Sequence, residues 1–137
     1  MAENIKLEIV TPDKLVVDDD AQIVMAPGTD GEFGVLKGHT PFLTSLKVGT
    51  VKYKDASGKE RAVFISGGFS EALPDKVTIL AESAERRRDI DQERAKQAME
   101  RAEKRLALEN DDTVDYIRAK AALARAIHRL KVKGYIT

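Results

Sequence analysis

The chain has no cysteine and no tryptophan among its 137 residues, two histidines, four prolines and only 5% aromatic residues. Without thiols there is no disulfide framework, no cysteine zinc site and no thiol nucleophile, and a reducing compartment is compatible with the sequence. His39 and His128 stand alone, so no paired-histidine metal spacing exists. No P-loop of the G-x-x-x-x-G-K-[ST] type is present. No stretch approaches the roughly 18 apolar residues of a membrane span. The start MAENIKLEIV lacks the basic and apolar regions of a secretion signal, so a soluble, unexported protein is expected. A small hydrolytic enzyme would need a nucleophile with a positioned base, and none is found, so no catalytic residue and no metal ligand is assigned.

What is present is two periodicities, meeting at AERRRDIDQERA, Ala84 to Ala95. Before this charged seam, which is expected to be exposed, the apolar residues alternate at every second position, as in Ile5, Leu7 and Ile9 against Asn4, Lys6 and Glu8. Further short runs follow at Leu15 to Val17, Gln22 to Ala26, Glu32 to Leu36, Phe42 to Leu46, Val51 to Tyr53, Ala62 to Ile65, Phe69 to Leu73 and Val77 to Leu80. Turn residues separate them: Pro12-Asp13, Pro27-Gly28, Gly38, Ser57-Gly58, Gly67-Gly68 and Pro74-Asp75. Short strands at this spacing, with no helical pattern between them, predict an all-β antiparallel sandwich or barrel over residues 1–85. Asp55-Ala56-Ser57-Gly58 makes Val51 to Ile65 its most secure hairpin. Asp18-Asp19-Asp20 lacks the calcium-loop pattern and reads as a solvated turn.

After the seam the composition shifts to Ala, Glu, Lys, Arg, Gln and Leu, the strong helix formers, and apolar residues recur at three and four. The first helix is expected from Asp91 to about Leu108, capped at Asp89 or Asp91. Glu109 to Thr113 breaks the pattern and caps a second helix, Val114 to about Lys131, which stops near Gly134. Residues 86–137 thus form an antiparallel helical hairpin. Its seam, Ala95, Ala98 and Ala102 against Ala119, Ala122 and Ala126, or against Ala121 and Ala124, is poor in bulk, so the hairpin is expected to be marginal by itself.

Charge divides along the same line. Residues 1–85 carry nine basic and 14 acidic residues, and residues 86–137 carry 14 basic and nine acidic, so a chain of zero net charge joins an acidic body to a basic arm. Such asymmetry points to a partner, with a solvated helical face as the plain alternative. Nucleic acid is one candidate partner, but the arm offers Tyr116 as its one aromatic before Tyr135, little for bases to stack on. His39, between Gly38 and Thr40-Pro41, reads as a turn cap, and His128, between Arg125 and Arg129, as surface or interface. Gly31, Gly34 and Gly38 read as turns and bulges, because no helix follows to make a phosphate loop.

GEFGVLKGHTPFLTSLKVG (Gly31 to Gly49), ISGGF (Ile65 to Phe69), VTILAESAER (Val77 to Arg86) and the helical hairpin after them resemble the ε subunit of bacterial and chloroplast F-type ATP synthase, the counterpart of mitochondrial δ. The match runs from about Ile5 to Leu130 with the same element order. It implies a non-catalytic central-stalk rotor subunit. In that family the sandwich holds the γ subunit and sits on the ring of c subunits, helping to couple proton flow to rotation. The hairpin lies folded, or extends along γ towards the catalytic α and β subunits and restrains ATP hydrolysis. The resemblance implies peripheral association with the cytoplasmic face of the bacterial membrane through the complex, and a monomer when isolated. Arg101, Arg105, Arg118, Arg125, Arg129 and Lys131 are the implied contacts to an acidic segment of the β subunits. Some bacterial members bind ATP on the folded hairpin through [IL]-D-x-x-R-A, complete here as Ile90-Asp91-Gln92-Glu93-Arg94-Ala95. Resemblance adds Glu85, Arg125 and Arg129, the last two on one helical face at i and i+4. The competing reading of Asp91 is a helix N-cap, and of Arg94 a surface residue.

Overall fold

The computed structural model describes residues 3–108 and 114–136. Seven strands come first: β1 Ile5–Val10, β2 Leu15–Gly28, β3 Gly31–Val35, β4 Phe42–Asp55, β5 Glu60–Leu73, β6 Lys76–Ala81 and β7 Ala84–Arg86. A 3-10 turn, Arg87–Asp89, leads to helices α1, Gln92–Leu106, and α2, Tyr116–Lys133. The fold is the expected β-sandwich followed by a helical hairpin. It divides into two compact units after Arg87. That is two residues beyond the expected end, because Ala84–Arg86 pairs with β5 as a strand. Arg86 and Arg87 thereby join the sandwich, which carries 11 basic and 14 acidic residues against 12 and nine in the arm.

The sheet runs β1-β6-β5-β4-β2-β3, and an added β1–β2 pairing turns it back on itself. Alternation decides what lies inside. Ile5, Leu7 and Ile9 are fully buried while Lys6, Glu8 and Val10 face outward, and Val17, Val24, Val51, Val63, Ile65, Val77 and Ile79 complete the same interior. Burying each of the larger aliphatic side chains contributes about 1.5–3 kcal/mol.

The nine expected runs merge into fewer, longer strands. Asp18-Asp19-Asp20 is not a turn. It lies inside β2, opposite Glu8, Leu7 and Lys6, with Lys6 Nζ 2.7 Å from Asp18. Gly67 and Gly68 do not turn the chain either. With φ of 112° and 144° they bend β5 in mid-strand, where its partner changes from β7 to β6. Register shifts in β2 let one strand pair with β1 near its start and with β4 and β3 further on.

The β4–β5 hairpin is as read. Its turn is fixed by the Asp55 carboxylate, which accepts from the Ser57 hydroxyl at 2.6 Å, the backbone N–H groups of Ser57 and Lys59 at 3.0 and 2.9 Å, and Arg61 Nε at 3.1 Å. With the Ser57 hydroxyl contributing most, these donors hold the Asp55 carboxyl down to about 2.

In the arm, Asp91 and Asp115 are the N-caps, each accepting at 3.0 Å from the backbone N–H three residues on, and Gly134 closes α2 at φ 88°. The second helix therefore starts at Tyr116, later than expected, because Asp115 supplies the capping carboxylate. The expected breaker Glu109 to Thr113 lies outside the described residues. Lys96 Nζ sits 5.7 Å from the centre of the Tyr135 ring, so the end of α2 returns to the start of α1 and the helices are antiparallel. Ala95, Ala102, Ala119 and Ala126 are buried, with Ala98 and Ala122 half-buried, while Ala121 is exposed. The arm buries more than alanine: Leu130 is completely buried, and Val132 and Ile90 nearly so. Ile90 and Ala84 also correct the reading of the linking stretch as exposed.

Candidate functional site

The sandwich carries a continuous apolar row on its outer face, which alternation in each strand places there. β5 turns Phe69, Glu71 and Leu73 outward. The registers then align Phe69 with Leu80 on β6, Leu80 with Val10 on β1, and Val10 with Leu15 on β2. Phe69 is 57% exposed, Leu80 56% and Leu15 52%. Val10, Phe69 and Leu80, with Thr11, Pro12, Gly68, Ala81 and Glu82, line an open groove of about 340 Å³. The neighbouring rows on the same face mix charge with leucine: Leu43, Glu71, Thr78, Glu8 and Asp18 come next, then Leu73, Lys76, Lys6 and Asp20. A continuous exposed apolar band of this kind marks an interaction surface. Sequence reading missed it. The available signal was Phe69 and Leu80 sitting in the polar phase of alternating strands.

Gly68 shapes this groove. A Cβ there would collide with the carbonyl oxygen of Leu80 and meet the Ala81 Cα at 2.9 Å, so only glycine lets β6 approach closely enough to set Phe69 beside Leu80. His39 Nδ1 lies 2.7 Å from the Thr40 carbonyl oxygen, its backbone N–H donates to Leu36, and its ring packs edge-on to Phe42. Its role is to close a turn.

The arm holds the sequence-predicted residues. Ile90 is 3% and Ala95 4% exposed, Asp91 caps α1 with its carboxylate on the Arg94 N–H, and the Arg94 side chain is exposed. Antiparallel pairing puts Arg125 and Arg129, both half-buried, in the same half of the hairpin as Asp91. Arg101, Arg105 and Arg118, all exposed, belong to the opposite half, and Lys131 is exposed near the end of α2. The six basic residues are therefore spread along the hairpin, with Arg101 and Arg125 near the middles of their helices. Glu85 lies on β7 in the sandwich unit and is half-buried. A hydrogen bond to Tyr135 comes first in raising the Lys96 ammonium above its ordinary range. Among the described residues no cluster of potential metal ligands occurs, and no helix is long and apolar enough to cross a membrane.

A sandwich with an exposed apolar row on its outer face, followed by a basic two-helix arm, is the build of an assembly subunit. Residues 4–87 match the family model for the ATP synthase delta/epsilon chain β-sandwich domain, and residues 88–134 match that for the long alpha-helix domain. The chain belongs to the ATP synthase delta/epsilon family. Within that family it is similar to ATP synthase epsilon chains, including that of Desulforapulum autotrophicum, 64% identical over 96% of this chain and 97% of the relative. The epsilon chain of Nitratidesulfovibrio vulgaris is 54% identical over 98% of both. The expected resemblance to the epsilon subunit of F-type ATP synthase therefore holds. Among solved structures, a chain of the Euglena gracilis mitochondrial ATP synthase OSCP/F1/c-ring assembly matches with a TM-score of 0.77 and 26% identity, over 90% of this chain and 78% of that one. A chain of the Tetrahymena thermophila mitochondrial central stalk/c-ring shares the fold, with a TM-score of 0.58 and 14% identity over 96% and 98%.

Proposed function

We propose that this chain is a non-catalytic rotor subunit which couples proton flow to rotation through its sandwich and restrains ATP hydrolysis through its hairpin. The observation that supports the reading is the outer apolar row Leu15, Val10, Leu80 and Phe69, a continuous band that the registers of four strands bring together on that face. In the assembly the row packs on the γ subunit, the sandwich rests on the c-ring, and the complex holds the chain peripherally on the cytoplasmic face of the membrane. Alone, the chain is a monomer. The exposed Arg101, Arg105 and Arg118 are the arm's contacts to acidic surface on the catalytic subunits, with Arg125, Arg129 and Lys131 engaged from the other half.

The arm also binds ATP when folded, at Ile90, Asp91, Arg94 and Ala95 with Arg125, Arg129 and Glu85. Two half-buried guanidinium groups, Arg125 and Arg129, on one helical face support the reading, since such groups neutralise phosphates. Binding confined to the folded form favours it by RT ln(1+[L]/Kd), about 1.4 kcal/mol at ten times Kd.

Reconstitution of the complex with Phe69→Ser/Leu80→Ser is the decisive experiment. Retention of the chain falls at least tenfold, on the order of 1.4 kcal/mol or more, while its isolated thermal melt stays within a few degrees of the parent. Undiminished retention refutes the docking row. Removing residues after Arg88 raises ATP hydrolysis by the reassembled enzyme, and an unchanged rate removes the brake. Calorimetric titration with MgATP loses its heat in Arg94→Ala and Asp91→Ala but keeps it in Asp115→Ala, which costs only the other cap. Equal heats in all three remove the nucleotide site.

A further inference from the structure

Asp19 points the wrong way for an acidic residue. Strand alternation in β2 puts Asp18 and Asp20 on the outer face and Asp19 on the inner, between buried Val17 and Ala21. A carboxylate at the rim of an apolar interior is costly unless donors meet it. Two do. The Tyr53 phenol, in a side chain only 3% exposed, donates to Asp19 Oδ2 at 2.5 Å, and Arg86 Nη2 lies 3.9 Å from the same oxygen. Arg86 also donates from Nε to the Val16 carbonyl oxygen at 3.0 Å. Burial, and then the Asp19 carboxylate, hold the Tyr53 hydroxyl protonated far above the usual phenol range.

The position of Arg86 gives the cluster its meaning. It is the last residue of β7, a strand of three residues that pairs with β5 alone. So short a strand has few ladder bonds, and the Arg86 side chain ties its end to β2. Immediately afterwards come the 3-10 turn Arg87–Asp89 and the α1 cap. Further inward, Ser83 bonds through its N–H and hydroxyl to Ser66 Oγ at 3.0 and 2.8 Å.

We propose that Tyr53, Asp19 and Arg86 form a polar latch that holds β7 in the sheet and so sets the point from which the helical arm departs. Closed, the arm is rooted at Arg87. Open, β7 peels back to Ser83 and the tether gains three extended residues, about 10 Å of reach. Only the Ala84 methyl leaves the interior when this happens, because Glu85 and Arg86 are half-buried. The latch is a property of the sandwich and stands whether or not the arm is a brake.

Hydrogen–deuterium exchange on the full chain tests it. In Asp19→Asn and in Arg86→Gln, amides of residues 84–88 exchange at least tenfold faster while those of β1, β5 and β6 stay within twofold. Tyr53→Phe, which leaves Arg86 on Asp19, gives a smaller acceleration confined to the same residues. Unchanged exchange at 84–88 in both of the first two variants overturns the latch. So does an equal acceleration throughout the sheet, which would make the cluster a general stabiliser of the sandwich.

Discussion

Replacing Gly68 by alanine is the sharpest test of how the docking row is built. Two costs fall on the new methyl. The backbone at φ 144° lies where L-residues are rarely found, and holding a non-glycine residue in such a region costs of order 1–3 kcal/mol. The Cβ also drives into the Leu80 carbonyl oxygen and stands 2.9 Å from the Ala81 Cα, which is backbone and cannot rotate away. Forcing extra volume into a packed region costs typically about 1–3 kcal/mol. Together they predict a loss of roughly 2–6 kcal/mol, a large part of a small domain's stability. Gly31 is the control, since at φ 137° it carries the backbone cost but a Cβ there meets nothing within 4 Å, so Gly31→Ala is expected to lose only about 1–3 kcal/mol. Urea unfolding of both variants, followed by intrinsic tyrosine fluorescence, measures the difference. A Gly68→Ala variant within 1 kcal/mol of the parent, or no worse than Gly31→Ala, would refute the claim that close β5–β6 approach depends on the missing side chain.

Further outcomes follow from the arm and the turn. Leu130→Ala removes the largest fully buried side chain of the hairpin and is expected to cost about 2–5 kcal/mol, seen as early loss of helical circular dichroism on heating; a change below about 1 kcal/mol contradicts it. Asp91→Ala and Asp115→Ala each lose one N-cap hydrogen bond, worth about 1 kcal/mol, and faster exchange is expected in the first turn of α1 or α2 respectively, not in the other. Asp55, held down to about 2 in the folded chain against roughly 3.9 unfolded, contributes stability that is fully present above about pH 4 and lost as pH falls towards 2. Carboxyl NMR reads this directly: an Asp55 resonance titrating near pH 4, or an unaltered acid limb in Asp55→Asn, contradicts it.

The fold class was legible because alternation is a local signal. Ile5, Leu7 and Ile9 mark their own inward face, and Ala95 and Ala102 mark theirs with the helical period. Strand length was not legible, because Asp18-Asp19-Asp20 and Gly67-Gly68 carry the composition of turns. What keeps them extended is pairing with residues far along the chain, Leu7 with Asp19 and Gly68 with Ala81. The choice between Asp89 and Asp91 as cap was open for a related reason: both carboxylates suit the position, and only backbone geometry picks Asp91. The basic residues of the arm were legible by kind. Their spread along the whole hairpin emerged from antiparallel pairing, shown by Lys96 meeting Tyr135. The apolar row was hidden because its members come from four strands and adjoin only through register.

Stability in this chain is distributed unequally, and the inequality suits a subunit with a movable arm. In the sandwich, β4 and β5 run beside each other through 12 aligned residue pairs, and three fully buried residues of β1 lock the two ends of the sheet together. The hairpin rests mainly on alanine contacts, each burying little area, with Leu130 as its largest anchor. Helices of 15 and 18 residues with strong formers and capped starts retain much of their structure if that seam opens. A seam worth only a few kcal/mol is within reach of a ligand or an acidic partner surface, whereas the sheet is not. The proposed opening of the arm therefore leaves the sandwich and its exposed apolar row as they are. The two units differ in this way because the sandwich buries branched aliphatic side chains from each of β1 to β6, whereas four of the arm's buried residues are alanines.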